Sequence, residues 1–153
     1  MRLIQEVSWG DAPGDLLASV ATPSSLTVDA SVSRTSYPSS SRTYLADGRG
    51  VAWTALAPNG FRLAIDAELV AQRVPPAVVR RARLTEPVEP VDFWRRWTQA
   101  EVLAKLLDVP ILLWVRTHRL VAPTELDASV ALRTVLYDDL VITFGLAREG
   151  AAD

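Results

Sequence analysis

A chain of 153 residues, 49% apolar and 22% charged with a formal net charge of −2, has the composition of one globular domain with a full hydrophobic core, and it is too short for two large ones. The apolar fraction excludes an intrinsically disordered chain, and the slightly acidic balance argues against a nucleic-acid binder held by overall charge. The absence of cysteine excludes a disulfide scaffold, a thiol nucleophile and a cysteine-ligated metal. Lys105 is the only lysine among 16 Lys and Arg side chains.

The N-terminal segment carries charge at Arg2, Glu6 and Asp11 and offers no apolar stretch of signal-peptide length. The longest strongly apolar run, residues 109–115, is broken by Pro110 and falls far short of the roughly 20 residues that a spanning helix needs. A soluble, cytoplasmic protein with neither membrane nor nucleic-acid partner is the expectation. Strands are expected at residues 3–7 and 16–21, the second closed by Thr22-Pro23-Ser24-Ser25. Residues 26–33 alternate apolar and polar, the period-two pattern of a half-buried strand. A Ser- and Arg-rich stretch follows, punctuated by Pro38, Gly48 and Gly50, and reads as a long loop over residues 33–50. Residues 51–57 and 61–68 read as two strands of a hairpin, because Asn59-Gly60 between β-rich runs is a strong hairpin signal.

Beyond Glu68 the period changes. Pro75-Pro76 opens a short helix to about Leu84, and a longer helix spans residues 91–107, with Asp92 as its N-cap and Pro110 just beyond its end. Phe93, Trp97, Ala100, Ala104 and Leu107 make one apolar face, flanked by a stripe of Trp94, Thr98, Glu101 and Lys105. Of the five tryptophans most read as core, with Trp94 a candidate for an exposed interface. Residues 111–117, 128–137 and 140–146 read as strands, the last two joined at Asp138-Asp139. The sum is a single α+β domain over residues 1–153, an antiparallel sheet with two main helices packed on it.

Most familiar chemistries are missing. His118, the single histidine, has no nucleophile or ligand neighbour at useful spacing and reads as a surface residue, and Gly48 and Gly50 lack the rest of any phosphate-loop fingerprint. Carboxylates remain. Asp66 and Glu68, two apart in a strand, leave the same face and can converge on one hard cation, although solvated charges at a strand end are the plainer explanation. Glu101 and Lys105, four apart on a helix in the favourable order, make a surface ion pair worth roughly 0.2–0.5 kcal/mol at the least. An ammonium is also a compact charge suited to a phosphate, which gives the single Lys105 a functional reading beside that one.

The strand Leu63-Ala64-Ile65-Asp66-Ala67-Glu68, followed about thirty residues on by the helix Trp97-Thr98-Gln99-Ala100-Glu101-Val102-Leu103-Ala104-Lys105, resembles the paired signature of the 4′-phosphopantetheinyl transferases. That signature is a Gly-Ile-Asp-x-Glu strand and a helix with Trp-Ser/Thr, a Lys-Glu pair and a closing Lys. The resemblance implies a fold of that superfamily, with residues 51–147 as its core and residues 1–50 as an abbreviated N-terminal part. It implies Mg²⁺ held by Asp66, Glu68 and Glu101, with coenzyme A as co-substrate and an acyl or peptidyl carrier protein as acceptor. Glu101 would assist deprotonation of the carrier serine, Lys105 would sit at the coenzyme phosphates, and Trp97 would anchor the helix. The basic cluster Arg80, Arg81, Arg83, Arg95 and Arg96 would suit an acidic carrier, and the chain length, between the family's one-lobed and two-lobed forms, admits a homo-oligomer.

Two departures accompany the resemblance. Ala100 stands where the motif's first Lys is expected, and no His precedes the strand pair to hold the coenzyme 3′-phosphate, leaving Arg42 or Arg49 to replace it. An alternative is therefore a degenerate or repurposed homologue that binds a carrier protein without transfer, or acts on a different small molecule.

Overall fold

The computed structural model describes residues 1–32 and 41–150. In chain order the elements are β1 (Arg2–Trp9), α1 (Gly14–Val20), β2 (Leu26–Asp29), β3 (Ser41–Tyr44), β4 (Gly50–Trp53), β5 (Phe61–Leu69), α2 (Pro76–Ala82), α3 (Pro90–Leu106), α4 (Ile111–His118), β6 (Val130–Tyr137) and β7 (Leu140–Arg148). Among the described residues these form two antiparallel sheets and four α-helices, where the sequence pattern had pointed to one sheet and two helices. The large sheet runs in the order β1-β6-β7-β5 and the small one β2-β4-β3.

The large sheet is covered on both faces. Ala64, Leu132 and Val141 meet α2, α3 and α4 in one apolar cluster, while Ile65, Ala67, Ile142 and Phe144 meet α1 and the small sheet in a second. The alternation of strand side chains makes this division automatic: neighbouring residues of β5 and β7 enter opposite cores. Trp53 of β4 stacks edge-on against Phe144 of β7 at 4.9 Å and donates its indole N–H to the Val20 carbonyl, which fastens the small sheet to α1 and to the large sheet. No helix among the described residues is long and apolar enough to cross a membrane.

Several elements depart from the pattern-based reading. Residues 16–21 are helix α1, not strand: Leu17 is buried and Leu16 and Val20 half-buried, a helical spacing that a run this short disguises. Residues 111–117 are helix α4. Their side chains are apolar almost throughout, so periodicity carries no information, and only in the fold do Trp114 and Val115 turn inward while Leu112 and Leu113 stay exposed. The turn at Pro58-Asn59-Gly60 forms, with Phe61 N–H bonded to the Pro58 carbonyl and Gly60 at φ +81°. It joins no hairpin. β4 pairs with β2 and β3, β5 pairs with β7, and the exposed residues between them carry the chain from one sheet to the other.

Part of the expected loop is strand β3, residues 33–40 lie outside the described residues, and β2 ends at Asp29, whose carboxylate accepts the Ser31 N–H at 2.9 Å. The boundary placed at residue 50 marks no structural division, since β4 spans it and β1 is an edge strand of the large sheet.

Helix α3 forms where its sequence suggests, but with another N-cap and a wider, shifted inner face: Trp94, Thr98, Val102, Leu103 and Leu106 are buried, while Trp97 and Leu107 are half-buried. Glu89, not Asp92, is the N-cap; its carboxylate accepts the N–H groups of Val91 and Asp92, with Pro90 in the first turn where no N–H is needed. Asp92 instead pairs with Arg95 and Arg96 one turn on. The helix lies close on β7, because Gly145 offers no side chain where Val102 and Leu106 descend. Its rotation is fixed by a buried polar chain: Thr98 to Thr143 at 2.8 Å, Thr143 to Thr134 at 2.9 Å, Gln99 to Thr134 at 3.0 Å and Gln99 to Gln5 at 2.9 Å. Paired polar atoms in a dry core tolerate few alternative arrangements. With Thr98 and Gln99 on the sheet, Glu101 and Lys105 are directed toward β5.

Candidate active site

Asp66 and Glu68 leave β5 on the face that carries α3, as their two-residue spacing requires. Glu101 and Lys105 descend from α3 onto the same place. Lys105 Nζ lies 3.3 Å from Asp66 Oδ1 and donates to the Ile65 carbonyl at 2.8 Å. Trp97, beside Glu68, favours the charged form of that carboxylate. Four residues that the family resemblance brings together are thus placed near one another, on a strand and a helix 33 positions apart in the chain, from Glu68 to Glu101. A cleft of about 340 Å³ opens beside them, lined by Glu101, Lys105, Asp108 and Ile111.

The carboxylates share an electrostatic strain. Asp66 is 5% exposed, and burial pushes its carboxyl above the usual aspartate range against the pull of Lys105 and Thr43. Glu68 is pushed up to about 7, first by burial and then by the charges of Asp66 and Glu101. Glu101 is pushed up to about 7 by burial and by Asp66, with Lys105 opposing. These groups therefore hold protons in the folded protein that they release in the unfolded chain, where the glutamate value is 4.5. Stability is present in full below the unfolded value and is lost as pH rises through about 7. The lowered aspartates Asp11, Asp47 and Asp92 titrate below that window and do not compete in it. The protein without added metal is expected to melt several degrees lower at about pH 8 than at about pH 5, read by differential scanning calorimetry; a Tm that rises over the same interval would contradict the arrangement.

Whether these residues suit a metal ion turns on their oxygens. Among the described residues no three carboxylate or imidazole groups are gathered closely enough to grip an ion as they stand. The donor chemistry nonetheless fits a hard divalent cation. Asp66 raises the proton affinity of Glu68 and of Glu101, Glu101 adds to that of Glu68, and Asp66 Oδ2 is buried without any hydrogen-bond partner. Hard cations prefer such oxygens and take water or phosphate at their remaining positions.

The other sequence candidates fall elsewhere. Arg49 is clamped between Asp47 at 2.8 Å and Asp139 at 2.6 Å, tying the β3–β4 turn to the β6–β7 turn. Arg42 lies on β3 between Ser41 and Thr43, whose side chains face β5, so its own leaves the opposite face. Ala100 is 3% exposed, in a wall shared with Leu103, Trp114 and Leu120, so a lysine in its place would enter the core and not meet the carboxylates. Trp94 is 2% exposed and belongs to the core, contrary to its reading as an interface residue. Arg95 and Arg96 are engaged by Asp92, which leaves Arg80, Arg81 and Arg83 as the exposed basic group on the helices.

One participant was missed. Thr43 donates its hydroxyl to Asp66 Oδ1 at 3.0 Å, from a strand that read as loop. Comparison with family models, with curated proteins and with solved structures found no match for this chain.

Proposed function

We propose that the protein is a Mg²⁺-dependent transferase that moves 4′-phosphopantetheine from coenzyme A to a serine of an acyl or peptidyl carrier protein. The observation that carries the reading is the meeting of Asp66 and Glu68 on β5 with Glu101 and Lys105 on α3, beside an open cleft. The order and spacing of these residues in the chain resemble those of the family signature.

Asp66, Glu68 and Glu101 would supply oxygens to the cation. When bound, Mg²⁺ would offset the negative charge that develops on the coenzyme pyrophosphate as its P–O bond breaks. Glu101, on the face of α3 turned to the carboxylates and the cleft, would accept the proton of the carrier serine. The serine oxygen then bonds to the phosphorus that bears the pantetheine arm, and adenosine 3′,5′-bisphosphate leaves with the electron pair. Lys105, 35% exposed at the cleft, places a positive charge beside the phosphates. Of the two arginines expected at the coenzyme 3′-phosphate, Arg49 would have to exchange an aspartate partner for it, and Arg42, on the opposite face of β3, takes no part in this reading. Arg80, Arg81 and Arg83 face an acidic carrier.

The test is incubation with coenzyme A, Mg²⁺ and a panel of apo carrier proteins, followed by intact-protein mass spectrometry. The expected result is a phosphopantetheine mass increment on at least one carrier, absent when EDTA replaces Mg²⁺. A second reading, a carrier-binding homologue without transfer, is favoured by one observation: Lys105 neutralises Asp66, and the carboxylates stand apart. Stable complex formation with a carrier, with no increment on any of them, would select it.

A further inference from the structure

We propose that Thr43 is a positioning residue which, together with Lys105, commits Asp66 to present a single oxygen, Oδ2, to a divalent cation. The inference rests on the metal-site reading above and extends it to a residue outside the signature.

The two oxygens of Asp66 have different surroundings. Oδ1 accepts from the Thr43 hydroxyl at 3.0 Å and from Lys105 Nζ at 3.3 Å. Oδ2 is buried and has no partner. An orphaned oxygen on a buried carboxylate is costly and seldom left so without a purpose. With Oδ1 held from two directions the carboxylate cannot turn about its terminal torsion, so Oδ2 keeps one heading and binds an ion through that oxygen alone. Hydrogen bonds to a ligating carboxylate fix it in this way at metal sites generally.

The Thr43 hydroxyl is itself placed firmly. β3 is paired with β4 from Ser41 to Tyr44, and two residues along the same face Ser41 Oγ accepts the Ile65 N–H at 3.0 Å. Ser41 and Thr43 thus pin β3 to β5 at successive inward positions, although the two strands share no ladder. Lys105 is likewise anchored at two points, the Ile65 carbonyl and Asp66 Oδ1.

The experiment titrates the wild-type protein, Thr43→Val and Thr43→Ser with Mn²⁺ alone, following free Mn²⁺ by electron paramagnetic resonance and the fold by circular dichroism and Tm. Thr43→Val keeps the shape and removes the hydroxyl, and Mn²⁺ affinity is expected to fall about 10- to 100-fold. Thr43→Ser keeps the hydroxyl, and its affinity is expected to return to near the wild-type value. Should the valine variant fail to fold, Thr43→Ala against Thr43→Ser makes the same comparison. Equal affinity in the wild type and the hydroxyl-free variant would overturn the positioning role and leave the metal site standing. No Mn²⁺ binding by the wild type would overturn both.

Discussion

If the proposed function holds, replacing Asp66 by Asn lowers phosphopantetheine transfer by about 10³-fold or more, the worth of several kcal/mol of charge stabilisation, without unfolding the protein. Loss of activity with retained stability is the combination that separates a site residue from a core residue. Asp66 is fully enclosed, and its carboxyl is pushed upward by burial even with Lys105 and Thr43 against it. The charged form is thus held at a net cost, as is common for buried ion pairs. An amide fills the same space and can still accept from Thr43, while Lys105, 35% exposed, can turn to water. At about pH 8, where the carboxylate cost is greatest, Tm should stay level or rise by a few degrees. Transfer that survives Asp66→Asn would remove Asp66 from the reaction.

The second large effect is structural. Gly145→Ala places a methyl group 2.2 Å from Val102 Cγ1 and 2.8 Å from Leu106 Cδ1. Val102 is fully buried and β-branched, so it has nowhere to turn. Overpacking of this kind costs typically about 1–3 kcal/mol, which for a chain of this size lowers Tm by roughly 2–12 °C. A double-mutant cycle identifies the cause: Val102→Ala in the Gly145→Ala background should recover much of the loss, because the two sites share one contact. A Tm unchanged by Gly145→Ala would mean that α3 does not lie on β7 as described. The same variant lifts α3, and with it Glu101 and Lys105, away from β5, so the proposed transfer would fall alongside stability.

The legible parts of the fold were those where pattern and burial coincide. α3 is long, capped and periodic, and β6 and β7 meet at a plain Asp138-Asp139 turn. The nearness of the candidate carboxylates was legible in two steps: a two-residue spacing in a strand and a four-residue spacing in a helix fix the faces, and the family resemblance alone joined the two elements. What failed was information carried by partners distant in sequence. Nothing local to Gly50–Trp53 says that its neighbours are β2 and β3 and not β5. Nothing local to Ile111–His118 tells which of its apolar residues face inward. Asn59-Gly60 gave a correct turn and an incorrect pairing, since a turn fixes chain direction only over a few residues. Thr43 stayed hidden because its polar segment has the composition of a loop, and its role comes from Asp66, 23 residues away.

The pinning of β3 to β5 by two hydroxyls has a thermodynamic corollary. Asp66 stands at the seam between two hydrophobic cores, its strand shared by both and its Oδ1 held from the small sheet as well as from α3. Any ligand gripped by that carboxylate is linked to the folding of the whole molecule: occupancy favours every conformation in which the seam is closed, and fraying of either core is felt as weakened affinity.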